Sequence, residues 1–77
     1  MKELVEVIAK ALVDSPDEVV VTEGKEDDGT IVIELRVAKD DMGKVIGKKG
    51  RIAKSIRAVV KTAAMKQNLK TVVDIVE

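Results

Sequence analysis

The sequence predicts an α+β fold in the order α-β-β-α-α-β, a three-stranded mixed sheet covered on one face by three helices. Three observations lead there. Segments with helical spacing and segments with strand alternation succeed one another along the 77 residues. Asp28-Gly29 stands just ahead of a renewed alternation, the signal of a hairpin, so the first two strands pair antiparallel. Gly47 and Gly50 then interrupt a helical pattern, which puts two helices between the second and third strands. A crossover of that length lets the third strand lie parallel to the second.

Each element follows from its own residues. Leu4, Ile8, Ala11 and Leu12, with Val5 and Val7 beside them, recur at helical spacing, and Ser15-Pro16 ends the pattern because the residue before proline avoids the helical region. The helix is expected over 2–13. Val19, Val20 and Val21 form a β-branched run, and the polar stretch Gly24-Lys25-Glu26-Asp27-Asp28-Gly29 is expected to be the turn. Ile31, Ile33, Leu35 and Val37 alternate with Val32, Glu34 and Arg36, the period-2 pattern of a strand with one buried face. Asp40 and Asp41 are expected to cap a short helix running through Ile46. The segment 47–50 is expected to break it. In the longer helix that follows, Ile52, Ile56, Val59, Val60 and Ala63 form one stripe, with Arg51, Lys54, Arg57, Lys61 and Thr62 off it. Thr71-Val72-Val73-Asp74-Ile75-Val76 is β-branched and reads as the last strand.

Composition limits function. With no Phe, Tyr or Trp, aliphatic side chains must build the core, and any base contact must be aliphatic as well, which disfavours readers that stack bases on aromatic rings. With no cysteine or histidine there is no disulfide and no ordinary zinc or iron–sulfur site, so no metal and no cofactor is expected. Glu3 and Glu6 interrupt what an export signal would need as an apolar run, and no segment has membrane-spanning length, so the expectation is a cytoplasmic protein without a membrane partner. A helical pattern at Met1 and a strand pattern at the other end suggest one whole small domain, residues 1–77.

The 14 basic and 14 acidic residues cancel, but they are segregated. Residues 1–41 carry 5 basic and 12 acidic side chains, residues 42–70 carry 9 basic and none acidic, and the last seven add Asp74 and Glu77. A one-sided field of this kind steers a polyanion to one surface; the plain alternative is a solvated lysine-rich helix.

The stretch Val45-Ile46-Gly47-Lys48-Lys49-Gly50-Arg51-Ile52 gives that field a focus. Two glycines allow a sharp turn and close backbone approach, and the helix after them offers free N–H groups to an anion. Other phosphate loops do not fit. A Walker loop needs four residues between its glycines, whereas Gly43 and Gly47 enclose three, and Lys49 stands where a hydroxyl should be. The dinucleotide fingerprint needs glycine where Val45 sits. No enzyme is expected, because Ser15 is a boundary residue, Ser55 has no base near it in sequence, and the acidic residues gather in the turn and at helix starts.

That motif resembles the GxxG loop of a KH domain, and the element order resembles the bacterial, type II arrangement of that fold. Across nearly the whole chain the sequence is similar to the stand-alone bacterial single-KH RNA-binding proteins, the KhpA family; the local motif from Asp41 to Arg51 is also similar to KH domains within larger transcription-elongation factors. The resemblance implies that about four unpaired nucleotides of single-stranded RNA lie in a groove between the loop with its flanking helices and the second strand. Carried onto this sequence, the binding residues are Lys44, Val45, Ile46, Gly47, Lys48, Lys49, Gly50, Arg51 and Lys54, with Leu35 and Val37 on the strand. Val45, Ile33, Leu35 and Val37 are candidates for base contact, with plain core packing the alternative for each and expected for at least two. The resemblance further implies a homodimer, a heterodimer with a larger KH protein, and post-transcriptional regulation or RNA-chaperone work connected with cell division or the envelope. From the residues, Ala58, Val59, Thr62 and Met65 are small or apolar between the buried stripe and the basic face, a candidate dimer interface or the rim of the core. A protein-interaction module with little RNA affinity is the alternative reading.

Overall fold

The computed structural model describes residues 1–76, apart from the side chains of Lys48 and Lys49. Its elements are α1 (Lys2–Leu12), a single 3-10 turn (Pro16–Glu18), β1 (Val20–Lys25), β2 (Ile31–Arg36), α2 (Lys39–Lys66) and β3 (Thr71–Val76). β2 is the central strand, antiparallel to β1 and parallel to β3. The long crossover through α2 permits that parallel pairing.

Alternation sets the two faces of the sheet. Val21, Ile33, Leu35 and Val73 point to the helices and are buried, whereas Val20 and Val72 on the other face are 50% and 47% exposed. The core is aliphatic throughout. Val5, Ala9 and Val13 from one side meet Val45, Ala53, Ile56 and Val60 from α2 over the strand residues. The buried stripe of α1 is therefore the i, i+4 row of Val5 and Ala9, and Val7 and Leu12 lie outward at 68% and 37% exposure. In α2 the stripe is Ala53, Ile56, Val60 and Ala64, turned about one residue from the expected one, so Val59 is 41% exposed. Both shifts have one cause: spacing defines an apolar stripe a few residues wide, and the packing partner selects the row at its centre.

The hairpin is tighter than its polar composition suggests. Gly24 and Lys25 remain in the ladder opposite Val32 and Ile31, which leaves residues 26–30 as the turn. The Glu26 N–H donates to the Thr30 carbonyl (2.8 Å), the Gly29 N–H to the Glu26 carbonyl (2.9 Å), and Gly29 takes φ +90°. Asp28 Oδ1 accepts the Thr30 N–H at 2.9 Å. That bond, with a further one from the Thr30 side chain, holds the Asp28 carboxyl below the ordinary aspartate range. At its other end α2 closes on a left-handed Asn68 (φ +55°), with the Leu69 N–H on the Ala64 carbonyl and the Asn68 N–H on that of Met65. This is a Schellman cap, with asparagine where glycine is usual. No described helix is long and apolar enough to cross a membrane.

Candidate nucleic-acid interface

Helical turns reach the glycine motif from both sides, and the break expected over residues 47–50 narrows to Gly50. Gly50 has φ +67°, a left-handed conformation that a right-handed helix cannot contain and that only glycine adopts cheaply. It divides α2 into two helical arms, residues 39–49 and 51–66. Gly47 stands in the first arm without positive φ, and a Cβ built on either glycine meets nothing within 4 Å. Nothing inside the protein therefore requires glycine at 47, and open space lies before it.

The second arm and β3 enclose a groove made of two neighbouring cavities that share Arg57. At the Gly50 end a cavity of about 380 Å³ is lined by Ile46, Gly50, Ala53, Lys54, Arg57 and Ile75. Towards the 67–70 loop it widens to about 540 Å³ among Arg57, Lys61, Ala64, Leu69, Lys70 and Val72. Lys54, Arg57 and Lys61 recur at i, i+3, i+7 and so share one side of the arm. Arg57 belongs to both cavities and reaches across to β3, with Nε and Nη2 each 3.4 Å from the Val73 carbonyl oxygen.

The expected site residues divide accordingly. Ile46, Gly50 and Lys54 line the groove. Arg51 is exposed beside it and Gly47 half-buried in front of it. Lys48 and Lys49 were expected to meet phosphates; their side chains lie outside the described residues. Four expectations need correction. Leu35 and Val37 are 0% and 2% exposed in the core, because β2 is the central strand and its inward side chains sit under the helices. The strand wall of the groove is β3, which contributes Ile75, not β2. Val45 is likewise 0% exposed, and of the alternatives open for Val45, Ile33, Leu35 and Val37, core packing holds for all four. Lys44 points away, its Nζ 3.0 Å from Asp14 Oδ1.

Asp40 and Asp41 do not cap α2, whose N-cap is Ala38 without a side-chain bond. Asp41 is 2% exposed, and its two carboxylate oxygens accept the backbone N–H groups of Asp14 (3.1 Å) and Ser15 (3.0 Å). It ties the end of α1 to the arm that carries the glycine turn. A buried carboxylate needs such partners, and both are about 26 residues away in sequence, beyond the reach of local capping rules. Ala58, Val59, Thr62 and Met65 are all exposed along the outer side of the second arm, where the Thr62 hydroxyl donates back to the Ala58 carbonyl at 3.0 Å. The Ser55 hydroxyl is similarly engaged with the Arg51 carbonyl.

A helix and hairpin placed before a strand, two helical arms about a glycine turn and a parallel return strand make a type II KH domain. The same fold is found in the crystal structure of Era in complex with MgGDPNP and nucleotides 1506–1542 of 16S ribosomal RNA, with a TM-score of 0.65 at 21% identity. That likeness covers 97% of this chain and 28% of the other. Residues 2–75 match the family model described as KhpA/KhpB, KH domain. Full-length relatives include the RNA-binding protein KhpA of Clostridium perfringens, 62% identical over 78 residues, covering 99% of this chain and 100% of that protein. That of Clostridium acetobutylicum is 59% identical over 76 residues (99% and 100%), and that of Aquifex aeolicus 47% over 77 (100% and 96%). The chain belongs to the KhpA/KhpB KH-domain family.

Proposed function

We propose that this chain is a cytoplasmic single-KH protein that binds single-stranded RNA in the groove between the second arm of α2 and β3, with the glycine turn at its mouth. One observation carries the reading: the acid-free basic segment 42–70 supplies the helical wall of a groove whose entrance is a left-handed Gly50 beside an unobstructed Gly47. The names borne by the relatives support it. Lys48, Lys49, Arg51 and Lys54 meet phosphates, aided by the first N–H groups of the second arm, while Ile46 and Ile75 give bases an aliphatic surface. The dipole of the arm adds only about 0.3–1 kcal/mol for an exposed anion, so lysine charge and turn shape must contribute at least as much.

A groove for about four nucleotides binds weakly and reads little sequence. A dimer through Ala58, Val59, Thr62 and Met65 leaves both grooves open and raises effective concentration; pairing with a second KH protein does the same, and post-transcriptional regulation follows from either. The exposed apolar side of α2 also keeps the interaction-module reading as the competitor. Changing Lys48 and Lys49 together to Asp decides between them. RNA binding should vanish while circular dichroism and melting temperature stay near those of the parent; undiminished binding overturns the site. For the parent, log affinity should fall with log salt at roughly −0.7 per phosphate neutralised, so two to four contacts give about −1.4 to −2.8.

A further inference from the structure

α1 ends at Val13 in extended backbone, so the N–H groups of Asp14 and Ser15 lie outside any helix, and Pro16 after them has none. Asp41, in the first arm of α2, takes both, one on each carboxylate oxygen, at 3.1 and 3.0 Å. Lys44, one turn further along the arm, holds the Asp14 carboxylate at 3.0 Å. Val45 beside it is sealed in the core. Positions 41, 44 and 45 share one side of the arm by their i, i+3, i+4 spacing. Ile46 lies round on another side, where it lines the cavity at the Gly50 end together with Ala53, Lys54 and Arg57 of the second arm and Ile75 of β3. One side of the first arm is thus an anchor and the other a wall of the groove.

We propose that Asp41 is a positioning residue for RNA: by gripping the backbone of Asp14 and Ser15 it fixes the angle between the two arms at Gly50, and with it the shape of the groove mouth. The inference rests on the groove being the RNA site. Gly50 has left-handed backbone, no Cβ and open space around it, so the turn itself does little to hold the first arm at one tilt. Val45 anchors the arm at one point, and apolar contact is not directional. The carboxylate adds two directed, charge-assisted bonds that resist rotation about that point. An arm released in the free protein must be set again when RNA binds, and apparent affinity falls by the fraction of molecules in which it is already set. Asp41 is buried on the anchored side, so its loss removes no phosphate contact.

The test uses the whole chain, a short oligouridine RNA and fluorescence anisotropy, at a temperature where circular dichroism shows every variant folded. Asp41→Asn keeps the size of the side chain but loses the charge and one acceptor. It should bind RNA roughly fivefold more weakly, with the parent's slope of log affinity against log salt. Val21→Ala is the control: it truncates the core on β1, the strand edge remote from the groove, so it should melt lower and bind like the parent. A merely structural role for Asp41 predicts that the two variants bind alike. A measurement on the parent needs no variant. By linkage RNA must strengthen the clamp in turn, so amide hydrogen exchange at Asp14 and Ser15 should slow on saturation with RNA more than it does at Ile33. Parent-like affinity in Asp41→Asn, or exchange at Asp14 and Ser15 that RNA leaves untouched, overturns the positioning role; failure of the parent to bind RNA overturns the groove assignment instead.

Discussion

Two glycines three residues apart should respond to alanine in opposite directions, and the contrast tests the account of the turn. Gly47 lies in helical backbone with negative φ and open space where a Cβ would stand. Alanine there adds no clash and reduces the freedom of the unfolded chain, a gain of about 0.4–1 kcal/mol. Gly50 has the same open space but φ +67°. Alanine at 50 must adopt the left-handed region at about 1–2 kcal/mol, partly offset by the same unfolded-state term, for a net loss near 1 kcal/mol. In a domain of this size 1 kcal/mol moves the melting temperature by roughly 4–8 °C. Gly47→Ala should therefore melt about 2–8 °C above the parent, and Gly50→Ala about 4–8 °C below it. Both should weaken RNA binding, Gly47→Ala because the methyl group occupies the space left for a phosphate backbone. Stabilisation with loss of affinity is the informative combination at position 47. If Gly47→Ala is less stable than the parent, that glycine serves the fold; if it binds RNA undiminished, the backbone does not approach there.

Three further outcomes are expected. Asp41→Ala strands the Asp14 and Ser15 N–H groups, at about 2–3 kcal/mol in all, so thermal melts should drop by roughly 10–20 °C; a change under about 3 °C refutes the tie between α1 and the glycine-bearing arm. Val59→Asp should give a folded monomer by light scattering, with weaker RNA binding through lost bivalency; a parent that is itself monomeric at high micromolar concentration rules the dimer out. Because the folded state holds the Asp28 carboxyl below its ordinary value, the stabilisation from its ionisation is present above about pH 4 and is lost as pH falls through the lowered folded value. Parent and Asp28→Asn should thus differ in melting temperature at pH 7 and converge as pH falls below that lowered value; a constant difference means the charge is irrelevant.

Local chemistry determined the elements. Helical spacing ended by Ser15-Pro16, a hairpin at Asp28-Gly29, a β-branched tail and the glycine motif each depend on residues close in sequence, and all appear near their expected bounds. The parallel pairing of β2 with β3 was legible too, because a crossover of that length permits it. Segregation of charge onto residues 42–70 needed only counting. Tertiary structure decided which strand faces the groove and what the polar side chains do. Alternation in Ile31, Ile33, Leu35 and Val37 announces one buried face but not a central position, and centrality buries Leu35 while leaving β3 with an open edge. Asp41 carries the chemistry of a cap, yet a carboxylate accepts whichever N–H groups packing brings to it, and here those belong to the end of α1. Arg57 reads as one more solvated cation until the edge of β3 lies within its reach. Strand order and long side-chain contacts arise from segments far apart in the chain, and only the closed core fixes which of them meet.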